Sequence, residues 1–510
     1  MATKTYVPIE LRSYQMDPYN KMEGAMSQMG AIMLAAPTGA GKTIAGLKLG
    51  QKYDFTIFVI GPAGIEDNWK EEAAKYKMEL IFISYTLLAG KSGKMSHNYL
   101  QYTNGEYVPT QQYKDLVSKR ILLIFDECQA GKKTTAKCSQ ACYALSKEVR
   151  LQNCGSRILL MSATPFDKEE FAESAFKLMG IIKKKELMFY NVGTNEYEME
   201  GYGFEEAVQY CNLINKTLMN NLYPSKINAK TLRLTLYQMY VQIVKTRAIF
   251  TLPKPPSKSK FIPEAKYYNL SNENERMVVV EAINKLSGIV RNEQGEVKIT
   301  ATNMGAITKA FMEIESCKVG LFERVAKSIL ENTINDKVII YLWHDESVIR
   351  LMNALSKYNP LRCDGKVTKK KRTANRLLFQ QPNNMYRVII AKPTAFGVGI
   401  NLDDRDGNFP RHTLINPSYH FDKIHQAAGR TFRPVTTMSD SYCTLMYIKD
   451  TEESSIIHSL ERKSDVVRSI VSYATDDIDE LISGETETDK DEDVTNETIF
   501  PSDYPIVMEN

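Results

Sequence analysis

No apolar run in this 510-residue chain approaches the roughly 20 residues of a membrane-crossing helix, so no membrane partner is expected. The first residues, Met1 to Pro8, have no apolar core of a secretory signal. The eight cysteines include no C-x-x-C pair, and Cys138, Cys142 and Cys154 lack the spacing and histidine partners of a zinc site. Reduced thiols and a cytoplasmic location are expected. Basic side chains are scarce in one place. Residues 476–510 carry 13 acidic side chains against the single Lys490. The rest then holds 64 basic and 48 acidic residues, although the whole chain is only +4. A body that basic suits a polyanionic partner. The tail is expected to be solvated and disordered, with docking on a protein partner, or competition with nucleic acid, as the alternative.

What is present begins with Ala36-Pro-Thr-Gly-Ala-Gly-Lys-Thr43. It follows the apolar Ala31–Ala35 and precedes a helical pattern over Ile44–Lys52, which is the setting of a phosphate-binding loop. Gly39 and Gly41 let backbone N–H groups wrap an anion without a Cβ in the way, in a loop that also holds Pro37, Thr38 and Ala40. The helix N-terminus adds partial positive charge. Lys42 can reach the β- and γ-phosphates and Thr43 can offer its hydroxyl to Mg²⁺. Ala36 stands where the usual pattern has Gly. About twenty residues upstream, Gln15 in Leu11-Arg-Ser-Tyr-Gln15 can pair with an adenine edge, because an amide both donates and accepts.

Strand and helix signals then alternate. Thr56–Ile60, Leu80–Ile83, Ile121–Phe125 and Ile158–Met161 read as buried strands, and the last two run directly into Asp126-Glu-Cys-Gln129 and Ser162-Ala-Thr-Pro165. Polar residues at the C-terminal ends of such strands describe a parallel α/β sheet. Asp126 can hold Mg²⁺, and Glu127 can orient the attacking water. Gly90 to Gln112 reads as a surface excursion. The stretch 166–255 is mostly helical and closes in the Pro- and Lys-rich Leu252–Lys260, so it is taken as a helical segment and linker. The α/β pattern resumes at Lys337–Leu342, Leu361–Gly365, Arg387–Ala391, Thr413–Asn416 and Tyr442–Tyr447 without a second phosphate loop. The expected organisation is a first lobe over 1–165, a linker over 166–255, a second lobe over 256–475 and the tail over 476–510.

The ordered set resembles the superfamily 2 helicases and translocases, specifically the Swi/Snf-type branch and its viral relatives, from Leu11 to Val471. Ala36–Thr43 matches motif I. Gly61-Pro-Ala-Gly-Ile-Glu-Asp-Asn-Trp69 is similar to motif Ia, and Ser84-Tyr-Thr86 stands at motif Ib. Asp126–Gln129 matches motif II and Ser162–Pro165 motif III. Lys245-Thr-Arg247 with Leu252-Pro253 resembles the opening of the second lobe, and Val338–Leu342 stands at motif IV. Thr394-Ala-Phe-Gly-Val-Gly-Ile-Asn-Leu402 is similar to motif V, and Gln426-Ala-Ala-Gly-Arg430 with Arg433 to motif VI. Three departures stand out: Gln129 where the family has His, Arg433-Pro434 at the end of motif VI, and an insert over Asp403–Arg411.

The resemblance implies two RecA-like lobes that close on one ATP. Gln15, the loop Pro37–Thr43 and Gly399 would bind nucleotide, and Thr43 and Asp126 the Mg²⁺. Lys42, Asp126, Glu127, Gln426, Arg430 and Arg433 would act in hydrolysis, with Arg433 nearer the γ-phosphate and Arg430 bridging. Gly64, Ser84, Thr86, Thr368 and Thr394 would contact a nucleic-acid backbone, and Trp343 and His344 could lie near it. The expected activity is ATP-driven, sequence-independent movement along DNA, in duplex form. An RNA-dependent ATPase, an ATPase subunit of a transcription complex, and a nucleotide-gated binding module without turnover are the alternatives. A viral origin would put the protein in the host cytoplasm or the virion.

Overall fold

The computed structural model describes residues 6–90, 97–131, 136–165, 168, 171–182, 188–191, 196–199, 201–222, 229–253, 255–270, 273–287, 304–396, 401–448 and 451–470. The acidic tail and Gly399 lie outside them. By compactness the chain divides between Pro255 and Pro256. Each unit is built on a six-stranded, fully parallel sheet.

In the first unit the strands are β1 (Ala31–Ala35), β2 (Thr56–Gly61), β3 (Leu80–Ser84), β4 (Ile121–Asp126), β5 (Arg157–Ser162) and β6 (Ile249–Phe250), in the spatial order β6-β1-β5-β4-β2-β3. β1 and β4 are buried at every residue, as strands covered by helices on both faces must be. That double burial is why they read as unbroken apolar runs. β5 sits between β1 and β4 although it comes later in the chain. Its register opposes Ala35 to Ser162 and Asp126 to Met161, so three polar loop ends meet at one edge.

Two parts of this unit differ from the sequence-based expectation. The excursion after β3 contains an antiparallel hairpin, Leu100–Thr103 with Glu106–Pro109, braced by the Tyr102–Tyr107 ring pair at 4.8 Å. The stretch after residue 165 is not wholly helical. It holds a second hairpin, Met188–Asn191 with Glu196–Met199, and supplies β6, which pairs with β1. It groups with the first unit.

The second unit has β7 (Phe261–Tyr268), β8 (Lys337–Tyr341), β9 (Leu361–Cys363), β10 (Val388–Ala391), β11 (Arg411–Ile415) and β12 (Ser441–Ile448), ordered β7-β12-β11-β8-β10-β9. β7 carries Pro263, Glu264 and Lys266, so its composition does not announce a strand. It is tolerated because β7 is the sheet edge, where a missing N–H leaves no inner ladder broken. One core of this unit joins Phe322, Val325 and Ile329 of the helix Val319–Asn332 to Val338, Ile340, Val388 and Ile390 of the strands. Beside it, Lys318 and Glu453 form a fully buried ion pair at 2.6 Å. Lys318 also donates to Met446 O, and Ile448 N–H donates to Glu453, so neither charge is left without hydrogen bonds.

Candidate active site

β1 ends at a tight loop in which Gly39 (φ +84°) and Gly41 (φ +93°) take left-handed backbone that other residues enter only under strain. The helix Lys42–Lys52 starts at Gly41 without a side-chain cap, so its first amides carry no side-chain acceptor of that kind. Lys42 folds back over the loop, its Nζ donating to Ala36 O at 2.7 Å and Pro37 O at 3.1 Å. Pro37 and Ala40 are buried, Thr38 and Thr43 half-buried, and Gly39 exposed.

Gln15 is buried against this loop. Its Nε2 donates to Ala40 O at 2.7 Å, and its Oε1 accepts the Arg12 N–H at 3.1 Å. Both ends of the amide that was expected to read adenine are engaged within the protein here. The same side chain fixes the loop's approach: a Cβ on Gly41 would stand 2.5 Å from Gln15 Nε2.

Across the sheet edge, β4 delivers Asp126, buried, and Glu127, whose φ of +54° turns the chain sharply. Asp126 is held at three points. Trp69 Nε1 donates to Oδ2 at 2.8 Å, the Glu127 N–H donates to Oδ1 at 3.0 Å, and Tyr85 Oη donates to the main-chain carbonyl at 3.0 Å. Burial pushes the Asp126 carboxyl up to about 6, and the neighbouring Glu127 charge adds to this. The Trp69 hydrogen bond and Lys42 oppose the rise. A divalent cation beside this carboxylate would offset the same burial cost, so Asp126 with the half-buried Thr43 suits a hard, oxygen-seeking cation such as Mg²⁺.

Beyond Asp126 the polar groups form a chain. Gln129 Nε2 donates to Glu127 Oε2 at 2.6 Å. Gln129 Oε1 accepts Ser162 Oγ at 2.7 Å, and Ser162 Oγ accepts the Thr164 N–H at 2.9 Å. Ser162 O accepts the Ala36 N–H at 3.1 Å, which returns the chain to the phosphate loop. The order β1-β5-β4 makes this closure possible, because Ser162 ends the strand that separates the two loops.

In the second unit, Gln426 and Arg430 are buried at the end of the helix Phe421–Ala428. Arg430 O accepts the Leu402 N–H at 2.9 Å. Arg433 is half-buried; its Nε donates to Asn401 Oδ1 at 3.0 Å and its guanidinium also donates to Gly429 O. These bonds tie the Asn401–Leu402 segment to the turn that carries both arginines. The insert over Asp403–Arg411 is ordered by Asp404, which accepts the Asp406 and Phe409 N–H groups and Ser439 Oγ.

The residues expected to touch a nucleic-acid backbone separate by exposure. Gly64, Thr86, Thr368 and Thr394 are exposed. Ser84 is not: it is 3% exposed, and its Oγ caps the helix Tyr85–Ala89 by accepting the Leu87 N–H at 3.3 Å. That hydroxyl serves as a helix cap and lies 3.1 Å from Thr86 Oγ1. Thr368 Oγ1 likewise caps the helix Lys369–Gln380 but remains at the surface. Trp343 Nε1 donates to Asn416 O at 2.9 Å, and the Trp343 and His344 N–H groups donate to Glu315, so the Trp343 indole N–H is spent on its own loop. Trp69 and Tyr85 were quoted in the sequence only as parts of motifs; nothing in their spacing says that they reach Asp126.

The phosphate loop, the acidic strand end and the polar relay on the strand between them lie together at one edge of the first unit's sheet. Residues 8–167 match the family model described as "Type III restriction enzyme, res subunit". A protein of Acanthamoeba polyphaga mimivirus that bears the name ATP-dependent RNA helicase is 28% identical over 196 residues, 38% of this chain. The match spans about a third, 35%, of that protein's length. A solved structure titled Sulfolobus solfataricus SWI2/SNF2 ATPase core in complex with dsDNA aligns over 95% of this chain and 98% of its own, at 16% identity and a TM-score of 0.32. Among the described residues no helix is long and apolar enough to cross a membrane.

Proposed function

We propose that the chain is an ATP-dependent translocase of the Swi/Snf-like type, which converts ATP hydrolysis into sequence-independent movement along duplex DNA. The observation that supports this most is the closed relay Ala36–Ser162–Gln129–Glu127, which links the phosphate loop to the candidate water-orienting carboxylate. In this reading Lys42 and the loop amides bind the triphosphate. Thr43 and Asp126 would hold Mg²⁺, which would supply charge neutralisation at the phosphates. Glu127 accepts a hydrogen bond from the attacking water and so aligns it. Arg430 and Arg433 stabilise the charge that spreads over the transferring phosphoryl oxygens. Thr86, Gly64, Thr368 and Thr394 contact the sugar-phosphate backbone, which carries no base information.

A second reading, an RNA-dependent ATPase, draws on the name of the mimivirus relative. The two differ in how the groove treats the 2′-hydroxyl. ATPase rates measured with duplex DNA, single-stranded DNA, duplex RNA and single-stranded RNA distinguish them. The proposal expects strongest stimulation by duplex DNA. Stimulation confined to RNA would replace it with the second reading, and no stimulation by any polymer would remove both.

A further inference from the structure

We propose that Trp69 is a positioning residue for the metal-binding carboxylate of Asp126, an inference that rests on the ATP-site reading. Trp69 has one polar atom, the indole N–H, and it is completely buried. A buried indole N–H needs an acceptor, and any main-chain carbonyl would satisfy that need. This one is given to Asp126 Oδ2, at 2.8 Å. The other oxygen accepts the Glu127 N–H, and Tyr85 Oη holds the main-chain carbonyl of the same residue. A carboxylate fixed at both oxygens and at its own backbone cannot rotate. Each oxygen still has acceptor capacity, so the hydrogen bonds set the direction in which the remaining lone pairs face.

The indole is itself held rigidly. It projects from the helix Glu66–Lys75 toward the helix that follows the phosphate loop, where Gly46 leaves it room. A Cβ at Gly46 would lie 3.4 Å from the ring edge of Trp69 and 3.3 Å from Ile124 Cδ1. Trp69 and Tyr85 come from the segments that follow β2 and β3, the segments that also carry Gly64 and Thr86. Outer groups that orient a metal ligand typically change metal affinity by about 10- to 100-fold when removed. Trp69 therefore acts on Mg²⁺ through Asp126 without touching nucleotide.

The test uses the full chain and a non-hydrolysable ATP analogue, with binding measured at equilibrium across a Mg²⁺ titration. Trp69→Phe keeps most of the ring and removes the N–H. The expected result is unchanged analogue binding without Mg²⁺ and about a 10-fold higher Mg²⁺ concentration for half-maximal binding. In turnover assays the deficit should diminish as Mg²⁺ is raised, whereas a merely loosened core would lower the rate at every Mg²⁺ level. An unchanged Mg²⁺ requirement overturns the proposal. Should Trp69→Phe fail to fold, Trp343→Phe leaves Trp69 as the sole tryptophan of the two in the chain. Its emission should then change when Mg²⁺ is added to the analogue-bound protein, and a constant emission overturns the proposal. If the unaltered protein binds no analogue at all, the ATP-site reading falls and this inference falls with it.

Discussion

Gln129 stands between Glu127 and Ser162, donating to the carboxylate at 2.6 Å and accepting the hydroxyl at 2.7 Å. A histidine at this position, as in the motif that Asp126–Gln129 resembles, would have two ring nitrogens for the same two partners. The amide has one donor end and one acceptor end, and both are used in the required sense. Substitution of His by Gln therefore keeps the link rather than cutting it. Gln129→Ala should lower kcat about 10- to 100-fold, the equivalent of losing a hydrogen bond to a charged group, with little change in KM for ATP. Gln129→His should retain most of the rate. Steady-state kinetics of the two variants provide the comparison, and an unaltered kcat in Gln129→Ala would remove the relay from the mechanism.

Gly41 should be intolerant of a side chain for two separate reasons. Its φ of +93° is strained for an L-residue, and the added Cβ would meet Gln15 Nε2 at 2.5 Å. Gly41→Ala should cost about 1–3 kcal/mol of stability and weaken nucleotide binding. Gln15→Ala in the same background should relieve the contact but not the backbone strain. Denaturant unfolding of the single and double variants gives both terms.

Ser84 and Thr86 lie two residues apart and should behave differently. Ser84→Ala removes a helix cap and should lower stability by about 1 kcal/mol. Thr86 is exposed and its Oγ1 lies 3.1 Å from Ser84 Oγ, so Thr86→Ala should lower the melting temperature less than Ser84→Ala and reduce affinity for nucleic acid. Thermal unfolding paired with a binding titration at fixed salt tests the contrast. Equal effects of both variants on nucleic-acid affinity would contradict it.

Arg433 is bonded to Asn401 and Gly429 within its own unit. Arg433→Ala should retain ATP binding, because Lys42 and the loop are untouched, and lose turnover by about 10³-fold or more. Arg433→Lys should not restore it, since an ammonium cannot reproduce the planar fork. Normal turnover in Arg433→Ala would exclude the residue from phosphoryl transfer.

The sheet strands were legible because strands buried on both faces leave long apolar runs; β1, β2 and β4 were read nearly to the residue. β7 was not, because an edge strand tolerates Pro263 and charged side chains. β6, two residues long, has too little sequence to show a period, and it exists through pairing with β1. In the candidate site, Lys42, Asp126 and Glu127 stand out in the sequence because phosphate and metal chemistry restrict the residue types that follow a glycine loop or an apolar strand. Trp69 and Tyr85 escaped notice because their part depends on tertiary contacts across 57 and 41 residues of chain. At Ser84 a cap and a phosphate contact would use the same hydroxyl, and its burial is not visible in the sequence.

The most direct test of the central claim is the ATPase rate of the unaltered chain and of Lys42→Ala, each with and without saturating duplex DNA. The account predicts DNA-stimulated hydrolysis by the unaltered chain and none above background in Lys42→Ala, with both proteins equally folded by circular dichroism. Equal hydrolysis by the two would contradict it.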